Sequence, residues 1–291
     1  MTTKNNVTAL TPIIPYATVL VKREDMYVEG MVNGGKVRQC RMLLENNIDL
    51  IRNSYGGRVV CSVHLQSPQS AIVSHVCKTL GLECHIVAYG TTVPNTQLSM
   101  AKRNGAILYG TKSPYRTTHE FIIKNYFSDC YWVRMGFVDD SIVNATLAQV
   151  ENIPDYLDYL VLPIGSGINA VSVVKGLEKY NKSVKNVIGV WVGKNREQLF
   201  RTMLGEELTS KIKLVKAHVD YNTHIDVGVD FIDSVYEAKA WHYMTENIDT
   251  KVNKVLFWVV GTRNDTNGTE ELVWHDAKER VKFRMFSRGV Q

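Results

Sequence analysis

The chain has 291 residues, 45% hydrophobic and 22% charged, with a net charge of +5. That is a globular composition with length for one large core or two modest ones, which excludes a disordered or low-complexity chain. No apolar run reaches the roughly 18 residues of a membrane helix, and no block of like charges marks a nucleic-acid-binding tail. Five cysteines without a CxxC pair read as reduced thiols, not as a disulfide framework or a metal site.

In chain order, the opening shows no charged-then-apolar signal pattern, so a cytoplasmic location is expected. Residues 11–25, TPIIPYATVLVKRED, read as an irregular lead-in and an edge strand, because proline cannot donate to a central ladder. NGGKVR at 33–38 is a glycine-flanked turn carrying one lysine. From residue 57 apolar strand-like runs alternate with helical patterns. RVVCSVHL is followed by the helical QSAIVSHVCKTLG, ECHIVAYG by TQLSMAKRNG, and AILYG by TTHEFIIKNYF. YWVRMG then precedes the helical DSIVNATLAQVENI, and YLVLPIG precedes NAVSVVKGLEKY and the strand NVIGVWVG. Near the C-terminus DFIDSVYEAKAWHYMTEN predicts a helix at 230–247 and KVLFWVVG a buried strand. Gly81 and Gly105 suit helix C-termini. The alternation predicts an α/β fold on mainly parallel sheets, with both ends of the chain in one lobe and the central units in another.

Three further stretches can carry chemistry. In PIGSGINAVSVV, residues 163–174, a strand runs through Gly165-Ser166-Gly167 into a helix starting near Asn169. Free backbone N–H groups at a helix N-terminus, aided by its dipole, make an anion cradle, although such a turn can equally be a plain connection. In DSVYEAKAW, residues 233–241, Tyr236 and Glu237 can offer an aromatic face and a carboxylate to one ring, or simply begin a helix. In HLQSPQSA, residues 64–71, Ser67 suits a helix N-cap before Pro68. It also sits at the carboxyl end of a strand, where α/β folds bind ligands. An amine at Lys36, a phosphate cradle, an aromatic-acid pair and a strand-end serine together fit pyridoxal phosphate chemistry. The lysine would form a Schiff base with the cofactor aldehyde, and the carboxylate would partner the pyridinium nitrogen.

These segments resemble the fold type II (tryptophan synthase β-like) pyridoxal-phosphate-dependent enzymes, within them the branch of 1-aminocyclopropane-1-carboxylate deaminase and D-cysteine desulfhydrase. The similarity runs in order over about residues 10 to 262, from the Lys-Arg-Glu-Asp string through NGGKVR, HLQSPQSA and GSGIN to DSVYEAK. It implies a two-lobed, three-layer αβα protein. A large cofactor-binding domain would comprise 1–42 and 156–291, and a small α/β domain 43–155. It places the cofactor lysine on Lys36 and the active-site serine on Ser67, with the ring-stacking tyrosine on Tyr236 and the pyridinium partner on Glu237. Gly165, Ser166, Gly167, Ile168 and Asn169 form the phosphate loop, and Gln69 and Thr262 join the cofactor contacts. No metal is implied.

The implied activity is that of a lyase or deaminase working through a quinonoid intermediate at the α-carbon of an amino-acid group. Deamination, β-elimination and decarboxylation all remain open, and the family usually forms homodimers. Several positions depart from its pattern. Gly35 and Pro68 stand where asparagine is usual, Ile168-Asn169 where Gly-Thr is usual, and Gly136-Phe137 where Gly-Gly is usual. Cofactor binding thus looks retained and the substrate pocket rebuilt. Divergent members of the superfamily act in bacteriophage thymidine hypermodification on an aminoacyl group attached to a DNA base. A host-cytoplasmic decarboxylase or lyase of that kind is the alternative, with Lys102, Arg103, Lys112 and Arg116 as candidate phosphate contacts. A non-catalytic amino-acid or cofactor-binding protein of the same fold is the alternative of another class.

Overall fold

A computed structural model describes residues 7–65, 67–89, 96–111, 116–262 and 272–280. In chain order its elements are β1 (Ile13–Tyr16), β2 (Val19–Arg23), β3 (Val28–Glu29), β4 (Val32–Asn33), α1 (Gly35–Asn46), α2 (Ile48–Tyr55), β5 (Arg58–His64), α3 (Gln69–Leu80), β6 (Glu83–Tyr89), α4 (Thr96–Arg103) and β7 (Ile107–Thr111). There follow α5 (Arg116–Tyr126), β8 (Tyr131–Val133), α6 (Val143–Leu147), β9 (Tyr156–Ile164), α7 (Ile168–Lys179), β10 (Ser183–Trp191), α8 (Glu197–Ser210), β11 (Ile212–Lys216), α9 (Glu237–Asn247) and β12 (Val255–Val259). The chain divides into two compact units, one drawn from 1–42 and 136–263, the other from 43–135 and 264–291.

The first unit is built on a six-stranded sheet of order β1-β2-β12-β9-β10-β11. Every pairing is parallel except β1 with β2. Successive side chains of a strand point to opposite faces, and β12 uses both. Leu256 and Trp258 join a core with α6, α7 and α8, whereas Val255, Phe257 and Val259 join another with α9. A strand buried on both faces reads as a continuous apolar run, which is why VLFWV carries no polar residue. The sheet is the middle of three layers. β9 leads to β10 on one side while β12 lies on its other side, so the strand order reverses between β9 and β12. Open α/β sheets bind ligands at the carboxyl ends of strands at such a reversal.

The second unit has a four-stranded, wholly parallel sheet of order β7-β6-β5-β8. Ile123 of α5 and Phe127 just after it pack on Val60, Val87 and Tyr109. Its strand order reverses between β5 and β8, and Ser67 follows the carboxyl end of β5.

The structure corrects several element expectations. β1, with Pro15, is the edge strand, but β2 lies inside the sheet. The helix expected over DSIVNATLAQVENI is broken into 3-10 turns at Asp140–Ile142 and Ala148–Val150 around the short α6. The helix expected at 230–247 begins at Glu237. There Asp233 Oδ1 accepts from the amides of Val235 and Tyr236 at 3.0 and 2.7 Å, a capping turn that fixes the start. Helix α1 was not anticipated, because Arg38, Gln39 and Arg41 are buried among its apolar residues Val37, Cys40, Leu43 and Leu44 and interrupt the apolar pattern.

Candidate active site

At the carboxyl end of β9, Gly165-Ser166-Gly167 turns directly into α7, with Gly167 as the capping residue. The first amides of a helix have no intrahelical partner and sit at the positive end of its dipole. An open cavity lies at this point. Lys36, Gly165, Ser166, Gly167, Asn169 and Tyr236, all singled out in the sequence, line it together with Pro163, Ala170 and Val260. The Tyr236 ring lies over Gly165, where a Cβ would stand 3.0 Å from Cε1. Tyr221 meets Tyr236 edge-on at 5.6 Å between centroids. Arg196 Nε donates to the Gly165 carbonyl at 2.9 Å, holding the turn from outside. Behind Ser166 lies Gly136, whose Cβ would meet the serine Cβ at 2.5 Å. The next residue, Phe137, is buried yet keeps a left-handed backbone, φ +54°, a conformation that costs a bulky residue about 1–3 kcal/mol.

The lysine turn is fastened to the end of β12. Gly35 N donates to the Val260 carbonyl at 2.9 Å. Asn33 and Thr262 exchange two hydrogen bonds, Asn33 Nδ2 to Thr262 Oγ1 at 3.0 Å and Thr262 N to Asn33 Oδ1 at 2.9 Å. Between them Gly34 has φ +94°, and a Cβ on it would strike the Val260 carbonyl oxygen and, at 2.7 Å, Gly261 Cα. Two backbones touch here, so the first glycine before Lys36 is required by space and by dihedral. Lys36 itself, half-buried, is the second residue of α1. Behind the turn, Arg38 donates to the carbonyls of Val7 and Ala9 at 2.6 and 3.0 Å and lies over the Tyr27 ring. The neighbouring Glu24 is fully buried, and that burial pushes its carboxyl up against the opposing charges of Arg38 and Lys22.

Glu237, Thr262 and Ile168 do not line the cavity. Ile168 is fully buried and opens α7, while Thr262 serves the Asn33 pair. Glu237 is wholly buried and accepts three backbone amides, from Asp233 at 2.7 Å, Val260 at 2.8 Å and Gly261 at 3.0 Å. Burial and then the charge of Asp233 push its carboxyl up to about 8, against the pull of those amides. A carboxylate offers about four acceptor sites, so about one is left. The chain's signal for this brace is local: Glu237 opens α9 while its carboxyl bonds the residues just after β12.

Ser67 and Gln69 belong to the second unit. Ser67 Oγ accepts the Gln69 amide at 3.3 Å, close to the expected cap before Pro68. Gln69 is buried and its Nε2 donates to the Arg134 carbonyl at 3.1 Å. Lys102 and Arg103 occupy the last turn of α4; Lys112 and the side chain of Arg116 lie outside the described residues. Sequence reasoning missed Pro163, Ala170 and Val260 as lining residues and Asn33 as the clasp of the lysine turn. Only Asn33, as the polar residue opening the NGG turn, offered a signal.

No family model matches the chain. Over 220 residues it is 26% identical to the O-seryl-dTMP PLP-dependent decarboxylase of Salmonella phage ViI, covering 64% of this chain and 50% of that protein. The chain therefore spans about half the length of this curated relative. Among solved structures it superposes on an ACC deaminase homologue with a TM-score of 0.69 at 17% identity, covering 91% of this chain and 88% of that one. A pyridoxal 5'-phosphate-dependent aspartate racemase gives 0.62 at 14% identity over 90% and 91% of the two chains, and maize serine racemase 0.62 at 14% over 97% and 94%. The fold is that of the fold type II pyridoxal-phosphate-dependent enzymes. The resemblance read from the motifs and the expected α/β class with mainly parallel sheets are thereby borne out. The cavity also suits the cofactor of fold type II proteins. It presents an amine, an anion cradle at a helix start, and a flat aromatic wall facing a residue without a side chain.

Proposed function

We propose that this protein is a pyridoxal-phosphate-dependent enzyme acting on the α-carbon of an amino-acid group, a lyase of the deaminase, desulfhydrase or decarboxylase type. The observation that carries this reading is that Lys36 shares one cavity with the helix-start turn at Ser166 and the ring of Tyr236. When bound, pyridoxal phosphate supplies an aldehyde that condenses with amines and a ring that withdraws electrons from bonds at the α-carbon. Lys36 would hold the cofactor through its amine, and the same amine would serve to move a proton at the α-carbon. The first amides of α7 and the Ser166 hydroxyl bind the phosphate, assisted by Asn169. Tyr236 forms the wall against which the ring lies. Glu237, with its raised pKa and remaining acceptor site, is assigned to the ring nitrogen. Ser67 is assigned to the substrate carboxylate, with a nucleophilic role as its alternative.

A second reading is favoured by the phage relative, whose name specifies a seryl group on dTMP and a decarboxylation. In it the amino-acid group is carried on a thymidine nucleotide in DNA, and the bond broken at the α-carbon is the one to the carboxylate.

Purified with excess pyridoxal phosphate, the protein should show a visible absorption band that Lys36→Ala abolishes. Borohydride should fix the cofactor covalently on the peptide carrying Lys36. Absence of the band in the wild type refutes the cofactor assignment. The holoprotein is then offered free amino acids and aminoacyl-modified DNA, with carbon dioxide and ammonia followed. Turnover of free amino acids alone removes the nucleotide reading, and a band without turnover of either leaves a binding protein of this fold.

A further inference from the structure

A side-chain amide facing an anion can attract or repel it, because its two ends differ only by a half-turn. Asn169 lines the cavity next to the Ser166 turn, so which end it presents matters. The neighbours decide. Gln39, 1% exposed, comes from α1 and donates from Nε2 to Oγ1 of the fully buried Thr146 at 2.9 Å. The same Nε2 donates to Asn169 Oδ1 in a short contact. An amide nitrogen has two hydrogens, and these two acceptors use both. The Asn169 carbonyl is thereby tied inward. Its Nδ2 makes no hydrogen bond to a described residue, and the half-buried side chain lines the cavity. Nδ2 lies 3.7 Å from where a Cβ of Gly35 would stand, beside the residue that precedes Lys36.

We propose that Gln39, braced by Thr146, is a positioning residue that turns the Asn169 amide so that Nδ2 donates to a phosphate group bound at the start of α7. This rests on the reading of that turn as a phosphate site. It assigns a device to three residues from three helices, α1, α6 and α7. The amide of Asn169 becomes a neutral donor in the place where the resembling family carries a threonine hydroxyl, and it needs an orienting partner that a freely rotating hydroxyl does not.

The test measures the dissociation constant of pyridoxal phosphate by absorbance titration in phosphate-free buffer, together with the 31P shift of the bound cofactor. Gln39→Glu leaves only acceptors at this position, so Asn169 should swing its carbonyl to the cavity. Affinity should fall about 10- to 100-fold, the worth of one hydrogen bond to a charged group, and the 31P line should move. Gln39→Met, which adds no charge, should weaken binding in the same direction by less. Asn169→Thr should bind within about threefold of wild type, and in that background Gln39→Met should have no further effect. Equal losses from Gln39→Met in both backgrounds, or none in either, overturn the proposal. Asn169→Asp is isosteric and keeps both acceptors for Gln39, so it should fold; unchanged affinity there also overturns it. If the wild type binds no pyridoxal phosphate, the cofactor reading falls first. If it binds normally and the Gln39 and Asn169 effects do not couple, only the positioning role falls.

Discussion

Replacing Gly34 by alanine should damage the lysine turn far more than an equivalent replacement elsewhere, and the first unit contains its own control. Gly34 has φ +94° and Gly193 has φ +89°, so both demand nearly the same left-handed backbone. A Cβ at Gly193 meets nothing within 4 Å, whereas one at Gly34 strikes the Val260 carbonyl and reaches Gly261 Cα at 2.7 Å. A left-handed L-residue costs about 1–2 kcal/mol, and alanine returns about 0.4–1 kcal/mol by restricting the unfolded chain. Gly193→Ala should therefore lose between about 0 and about 1.6 kcal/mol. Gly34→Ala adds a collision with backbone that can yield only by parting the turn from β12, about 1–3 kcal/mol more by analogy with overpacking. Because two units are unsuited to a single two-state analysis, the readout is native-state hydrogen exchange of the β12 amides. Capture of pyridoxal phosphate by Lys36 should fall for Gly34→Ala and not for Gly193→Ala. Equal losses of protection in the two variants would show that the contact with Val260 and Gly261 carries no weight.

Arg41→Met should destabilise the first unit by about 3–5 kcal/mol, because it strips the buried Glu29 carboxylate of its cation. Arg41 Nε donates to both Glu29 oxygens, at 2.7 and 2.9 Å, and Tyr27 adds a bond at 2.6 Å. Pairing Arg41→Met with Glu29→Leu should recover most of the loss in urea unfolding. Burial, then the positive charge of Arg280, lowers the pKa of His85 to about 4 from 6.5. A base with a depressed folded pKa is protonated first in the unfolded chain, so stability falls as pH drops from 6.5 towards 4. The second unit should lose up to about 3 kcal/mol across that window, and His85→Leu should remove that part of the slope. Glu237→Ala leaves the buried amides of Asp233, Val260 and Gly261 without their acceptor at about 1–3 kcal/mol each. Unchanged hydrogen exchange at the amides around Val260 and Gly261 would contradict that account.

The parts of the fold that were legible are those where burial follows the chain's own period. β5, β6, β9, β10 and β12 are apolar runs because both of their faces are covered, and the residues following β5 and β9 pointed to strand ends. What stayed hidden is held by contacts between distant residues. In GKVRQCRMLLE the apolar positions Val37, Cys40, Leu43 and Leu44 are interleaved with Arg38 and Arg41, which are buried by partners at Glu24 and Glu29. Lys36, Ser166, Asn169 and Tyr236 were legible as site residues because each sits in a short motif. Val260 and Pro163 line the same cavity through position alone, as ordinary residues at the ends of two neighbouring parallel strands. Glu237 was legible as a carboxylate beside an aromatic ring, but its bonds to the Val260 and Gly261 amides follow only from the approach of α9 to the end of β12, whereas Asp233 lies four residues upstream.

Three of the departures from the family pattern, at Gly35, Phe137 and Asn169, meet in the first unit, whereas Pro68 belongs to the second. Gly35 stands where asparagine is usual, and a Cβ there would strike Glu24 Oε2, with Asn169 Nδ2 3.7 Å away. The space given up at 35 is thus bordered by the buried carboxylate on one side and by the amide of the helix-start turn on the other. Asn169 in turn answers to Gln39 and Thr146, and Gly136, beside the strained Phe137, backs directly onto Ser166. A change at 35, 39, 137 or 169 therefore acts on the same surroundings, those of the helix-start turn and the lysine turn. Restoring one family residue by itself, asparagine at 35 for instance, would collide with Glu24 and recover nothing. The set has to be exchanged together.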